Sequence, residues 1–262
     1  MQTSDILIDG QRLETAWWGP APDAAPTLVL LHEGLGCVAL WRDFPALLQA
    51  ATGCGVFAYS RLGYGQSDPV ERPRPMTYMH DEALRILPQV LDHIGVRNAI
   101  TIGHSDGGSI AAIHAGGTRD KRLTGVVMMA AHFFVEELNI ASIAQIKHTY
   151  ETTDLRSRMA RYHRDVDGAF YGWNDAWLDP RFRAFDIIRY LEAIQVPILG
   201  LQGEDDPYGS PAQLHVLQRH VGVPAEIWEI PDARHAPHLE AKDDTIATIA
   251  AFIKNRLQDS NR

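Results

Sequence analysis

Asn98-Ala99-Ile100-Thr101-Ile102-Gly103-His104-Ser105-Asp106-Gly107-Gly108 is the stretch on which the fold turns. Asn98–Gly103 is a short apolar run of the kind buried on both faces of a parallel sheet. It leads straight into HSDGGSIAAIHAGG, a glycine-opened, small-residue segment that reads as a helix. At the junction, Gly103-His104-Ser105-Asp106-Gly107 fits G-x-S-x-G. A serine on so sharp a strand-to-helix turn has strained backbone angles and tolerates no bulky neighbours, hence the flanking glycines. Such a turn lifts the Ser105 hydroxyl off the sheet and aims the following backbone N–H groups at a developing oxyanion. The positive end of the helix dipole lies behind them. The bland alternative is a glycine-rich turn that holds an incidental serine.

Working outward, strand-like runs alternate with helical segments. Ser4–Ile8 and Arg12–Trp18 read as a hairpin around Asp9-Gly10, with Trp17 and Trp18 as sheet packing. Thr27–His32, Gly55–Ser60, Thr124–Ala130, Val196–Gly203 and Ala225–Ile230 read as further strands. Leu40–Ala50, Thr77–Ile94 and Asp243–Leu257 read as helices. Alternation of this kind implies right-handed crossovers and a mostly parallel sheet covered on both faces, an α/β fold. Residues 132–190 depart from it: helical spacing, no strand, and half of the chain's aromatic residues. They read as a helical cap inserted into a core formed by residues 1–131 and 191–262. Their aromatics either build a core for the cap or line a substrate pocket, with Phe133, Phe134, Trp173 and Trp177, together with Trp41, as pocket candidates.

A serine hydroxyl is a weak nucleophile at neutral pH and needs a base with an orienting acid. In this architecture they follow in the order Ser, Asp/Glu, His, at strand ends. Glu204-Asp205-Asp206-Pro207 follows one predicted strand, and Pro231-Asp232-Ala233-Arg234-His235-Ala236-Pro237-His238 follows the last. With these pieces in place the chain resembles the α/β-hydrolase superfamily, the small single-domain esterases and lactonases with a helical cap and an eight-stranded, mostly parallel sheet. The resemblance implies Ser105 as nucleophile, His235 as general base and Asp206 as the acid, with Asp205 as fallback and His238 as rival base. His104 would point into the structure. The oxyanion hole would combine the backbone N–H of Asp106 with one from His32-Glu33-Gly34-Leu35-Gly36. Matching on the glycine gives Leu35, and Gly34 is the alternative. On that match Glu33 stands where the family normally has histidine, either as a second carboxylate near the site or as a hydrogen-bonded loop residue. Ser60 heads a turn, Ser60–Ser67, whose family pattern begins with aspartate.

The implied activity is hydrolysis of a carboxylic ester or lactone of a small, partly apolar molecule. Enol-lactonases of the 3-oxoadipate type, carbon–carbon hydrolases, thioesterases and metal-free haloperoxidases share the same triad, and a non-catalytic receptor shares the fold. Haloalkane dehalogenases are disfavoured, since their nucleophile is an aspartate. Composition narrows the classes further. There are 24 Lys+Arg against 33 Asp+Glu, a net charge of −9, which argues against nucleic-acid binding. Cys37 and Cys54 are too few for a disulfide scaffold and read as buried thiols. Twelve histidines suggest metal, but they scatter, with neither HExxH nor CxxC, so no metal or other cofactor is expected. Neither a membrane span nor a signal peptide is visible, and the expectation is a cytoplasmic monomer or homodimer. Arg156, Arg158, Arg161 and Arg164 either clamp a substrate carboxylate or coenzyme A phosphate, or form a solvated face balanced by Glu151, Asp154, Asp165 and Asp167.

Overall fold

Every side chain of Thr27–Leu31 (β3), Gly55–Tyr59 (β4) and Ala99–His104 (β5) is buried, the condition of parallel strands covered on both faces. The structure is a computed structural model that describes residues 1–259. These strands stand at the centre of an eight-stranded sheet completed by Gln2–Ile8 (β1), Gln11–Trp18 (β2), Leu123–Met129 (β6), Ile198–Gly203 (β7) and Ala225–Ile230 (β8). The order is β1-β2-β4-β3-β5-β6-β7-β8. β1 pairs antiparallel with β2 and β2 with β4, and the rest of the sheet is parallel. The β1–β2 turn places both Asp9 and Gly10 at positive φ, 52° and 77°, which suits a two-residue hairpin between right-twisted strands.

The two-residue period of the strands divides the core. Val29, Leu31, Val126 and Met128 face the helix Leu87–His93 (α3) and the helix Asp106–Thr118 (α4). Leu28, Leu30, Val127 and Met129 face the helix Phe44–Thr52 (α1) and the helix Lys242–Asp259 (α11). The sequence predicts a single helix over Thr77–Ile94; the chain instead forms Tyr78–Asp81 (α2), a widened π-type turn over Glu82–Ile86, and α3. Pro88 accounts for the break, because it has no N–H to donate to the carbonyl of Leu84.

Between β6 and β7 run Glu137–Thr152 (α5), Leu155–Met159 (α6), Val166–Leu178 (α7), a 3₁₀ turn over Pro180–Ala184, and Ile188–Ala193 (α8). The only strand-like element there is one bridge, Phe134 to Asp186. Tyr150 stacks on Phe170 at 3.7 Å, and with Met159 and Val166 they make a small core of their own. Trp173, Trp177, Phe182 and Phe185 instead join the main core. The aromatics of the insertion are therefore divided between a small core of its own and the main core. The remaining helices, Ala212–His220 (α9) and Pro237–Glu240 (α10), follow β7 and β8.

Candidate active site

Ser105 sits between β5 and α4 with φ 54° and ψ −119°, a conformation that a residue with a Cβ adopts only when its surroundings impose it. Those surroundings are backbone. A Cβ on Gly107 would lie 1.9 Å from the Leu31 carbonyl oxygen, and one on Gly103 would lie 2.1 Å from the Gly107 carbonyl oxygen. The Ser105 amide donates to the Met129 carbonyl at 2.8 Å, fixing the turn to β6. Asp106 then opens α4, where backbone N–H groups have no acceptor in the preceding turn.

Asp206 and His235, from the loops after β7 and β8, come together. His235 Nδ1 lies 2.9 and 3.0 Å from the two Asp206 carboxylate oxygens. With Nδ1–H donating there, Nε2 is the unprotonated nitrogen. Asp206 Oδ1 also accepts the Tyr208 amide at 2.8 Å. Burial opposes its charge, but the hydrogen bond from His235, and the field of that ring whenever it carries a second proton, outweigh that and hold the carboxyl below its ordinary range. Asp205 points outward, its amide on the Ala233 carbonyl.

Behind His235 lies a second pair. His104 is buried and donates from Nε2 to the His235 carbonyl at 2.7 Å, while its Nδ1 faces Glu33 Oε2 at 3.5 Å. Burial alone would lower the His104 pKa; the Glu33 carboxylate reverses this and raises it. Glu33, correspondingly, is held well below the carboxylate range against the cost of its own burial. His238 packs between Trp41 and Phe44 and beside His104, not toward the serine. Desolvation, aided by the charge of His104, pushes its pKa from 6.5 down to about 3.

A histidine kept neutral when folded is protonated first in the unfolded chain. Its stability contribution is therefore intact above about pH 6.5 and declines as pH falls toward about 3. From pH 6.5 to 5, one such group costs about 2 kcal/mol. The melting temperature is expected to fall over that interval, less steeply in His238→Phe. Parallel slopes for the two proteins in a calorimetric pH series would remove His238 from this account.

The loop after β3 is anchored from beneath. The Arg61 amide donates to His32 Nε2 at 3.0 Å, so His32 carries its proton on Nδ1 and donates it to the Glu33 carbonyl at 2.7 Å. Arg61 Nη2 donates to the same carbonyl at 2.8 Å and to that of His32 at 3.2 Å. The same guanidinium lies 3.8 Å from Asp106 Oδ2, with both side chains at most 3% exposed. Asp106 in turn accepts from the Tyr78 hydroxyl at 2.6 Å and from Trp177 Nε1 at 3.3 Å. One buried arginine thus ties the β3 loop to the first residue of α4. Where the family turn has aspartate, Ser60 accepts the Val38 amide at 2.9 Å and donates to Glu14 at 2.6 Å. The carboxylate comes from β2 instead.

A cavity of about 140 Å³ opens between these parts. Ser105, Asp106, His235, Glu33, Gly34 and Leu35 line it from the core, with Tyr208, His132, Ile143, Trp173 and Trp177 above. Of the five aromatic pocket candidates, only Trp173 and Trp177 reach it. Trp41 is 1% exposed and stacks on Phe44 in the core beneath α1. Phe133 is buried in the main core and Phe134 packs partly buried against it, and neither lines the cavity. His132, Tyr208 and Ile143 were not singled out in the sequence. His132 abuts Trp177 and bonds through Nε2 with the Tyr208 carbonyl at 2.9 Å. Its place three residues past the end of β6, the strand beside the elbow, is the one sequence signal for it. Arg156 pairs with Asp167 and Arg164 with Asp68, outside the cavity.

Residues 28–248 match the alpha/beta hydrolase family, and the chain belongs to that family. It is 24% identical over 221 residues to a bifunctional esterase/perhydrolase of Acinetobacter calcoaceticus, covering 72% of this chain and 76% of the relative. A non-heme chloroperoxidase of Streptomyces lividans is 28% identical over 237 residues, 78% of this chain and 83% of the relative. The crystal structure of the enol-lactonase from Burkholderia xenovorans has a TM-score of 0.76 at 21% identity, over 96% of this chain and 100% of that one. That likeness is one of fold. Among the described residues no helix is long and apolar enough to cross a membrane.

Proposed function

We propose that the chain is a serine hydrolase cleaving a carboxylic ester or lactone whose acyl part is small, uncharged and partly apolar. The observation that carries this reading is the Asp206–His235 pair, opening onto the same cavity as a serine held in a strained turn. Ser105 attacks the carbonyl carbon while His235 Nε2 takes the hydroxyl proton. The imidazolium, stabilised by Asp206, returns that proton to the leaving alcohol. Water activated by His235 then releases the acid from the acyl-enzyme. The relative named as a bifunctional esterase/perhydrolase agrees with ester hydrolysis.

The oxyanion would be held by the Asp106 N–H and one donor from the β3 loop. In a trans peptide, N–H and C=O point opposite ways. The Glu33 carbonyl is drawn inward by His32 and Arg61, which turns the Gly34 N–H away from them and favours Gly34 over Leu35. The cavity lining contains two carboxylates and neither lysine nor arginine. This favours a neutral ester over a lactone bearing its own carboxylate. Its size favours short acyl groups.

Asp206→Asn keeps the shape of the acid but stabilises the wrong imidazole tautomer. The turnover number for p-nitrophenyl acetate is expected to fall roughly 10³- to 10⁴-fold with little change in KM. Steady-state kinetics showing less than a tenfold loss would remove Asp206 from the triad.

A further inference from the structure

A second, arginine-lined cavity lies on the other side of the Leu35 loop. Residues Leu40, Arg42, Arg158, Arg161, Tyr162 and His163 surround this cavity of about 390 Å³. Three arginines, Arg42, Arg158 and Arg161, line it in a chain whose net charge is −9. Arg158 has an acidic neighbour, Asp154, at 3.2 Å on the exposed surface, an attachment that contributes little. Arg42 and Arg161 have no ion-pair partner among the described residues. Asp43, next to Arg42, is bound by Lys242 at 2.7 Å.

Two further observations mark this cavity. Arg42 has φ 53° and ψ −122°, nearly the conformation of Ser105, so the chain maintains a strained backbone at the residue that presents the first of these guanidinium groups. The cavity also abuts the candidate active site. His163 accepts the Gly65 amide at Nδ1 and donates from Nε2 to the Leu35 carbonyl at 3.0 Å. Leu35 itself lines the cavity that holds Ser105.

We propose that this groove binds the phosphate groups of a small molecule, either carried on the leaving group of the substrate or free. Several forked guanidinium groups suit phosphate oxygens and supply more charge than one carboxylate would neutralise. Leu40, Met159 and Tyr162 give the groove an apolar side that a larger phosphorylated group can cover. On a leaving group, the phosphates would lie outside the loop while the acyl carbon reaches Ser105 past Leu35. This rests on the serine-hydrolase reading for the first source but not for the second.

The test compares butyryl-coenzyme A with butyryl-pantetheine, which has the same thioester and no phosphate, in the native protein and in Arg158→Glu/Arg161→Glu. In parallel, coenzyme A and pyrophosphate are titrated into both proteins by calorimetry at low salt, where such contacts are least screened. Phosphate on the leaving group predicts a preference of about tenfold or more in kcat/KM for the coenzyme A ester, lost in the double variant. A ratio of two substrates is insensitive to partial misfolding. A free phosphate ligand predicts equal kcat/KM values but binding heat for coenzyme A and pyrophosphate that the double variant lacks. Equal kcat/KM values with no binding heat would overturn the proposal. If no ester is turned over at all, the hydrolase reading fails, and the calorimetry still decides the groove.

Discussion

Ser105→Ala is expected to lower kcat/KM for p-nitrophenyl acetate on the order of 10⁴-fold or more while leaving the fold intact. The alanine keeps the Cβ that the turn already accommodates at φ 54°, and the backbone contacts that hold the turn are unchanged. On the proposed mechanism, what disappears is the oxygen that forms the acyl-enzyme. Residual turnover would come from binding and from oxyanion donors that no longer face an attached substrate. A fluorophosphonate probe gives an independent readout, since native protein should gain one adduct, mapped to Ser105 by mass spectrometry, and the variant none. Near-native turnover in the variant, or an adduct elsewhere, would end the mechanism. A binding-only protein on this fold would fail to label even before substitution.

Arg61→Met is expected to destabilise the protein by about 3–5 kcal/mol, because it leaves the Asp106 carboxylate buried without its countercharge. For a domain of this size the melting temperature should drop by roughly 10 °C. The same substitution removes donors from the His32 and Glu33 carbonyls, so the β3 loop loses its anchor and kcat should fall along with stability. Asp106→Asn supplies the control, since the asparagine oxygen still accepts from Trp177, its amide nitrogen can donate to the Tyr78 hydroxyl, and it no longer needs a cation. The double variant should be more stable than the sum of the single losses implies, by about 1 kcal/mol or more. Additive losses would show that the arginine acts on the loop alone.

The Arg61–Asp106 pair also shows where reading the chain stops. Arg61 belongs to the Ser60–Ser67 turn, and Asp106 follows the serine as an expected backbone donor. Nothing in their spacing joins them; they meet because β4 and β5 both flank β3, so the loop after β4 and the elbow after β5 end at the same edge. Glu33 and His104 meet for the same reason, and this resolves the two readings of Glu33 into one residue that does both jobs: it lines the cavity and is paired behind it. Trp41 lies close in sequence to the β3 loop, which made it a pocket candidate. The 3₁₀ turn over Val38–Trp41 carries its ring beneath α1, where burying a large apolar surface against Phe44 and His238 outweighs exposing it.

Local pattern alone determined the alternation of buried strands with helices, the place of the serine turn, and the strand ends after which a carboxylate and a histidine follow. Those features depend on short-range geometry: apolar runs, glycines where backbone approaches within contact, and chain order. The tertiary structure decided which aromatics face the cavity, which carboxylates are neutralised, and that the lining holds no cation while three arginines gather on the far side of the Leu35 loop. The direction of a side chain on a loop is set by what packs against it, and in this protein those neighbours come from strands and helices tens of residues away.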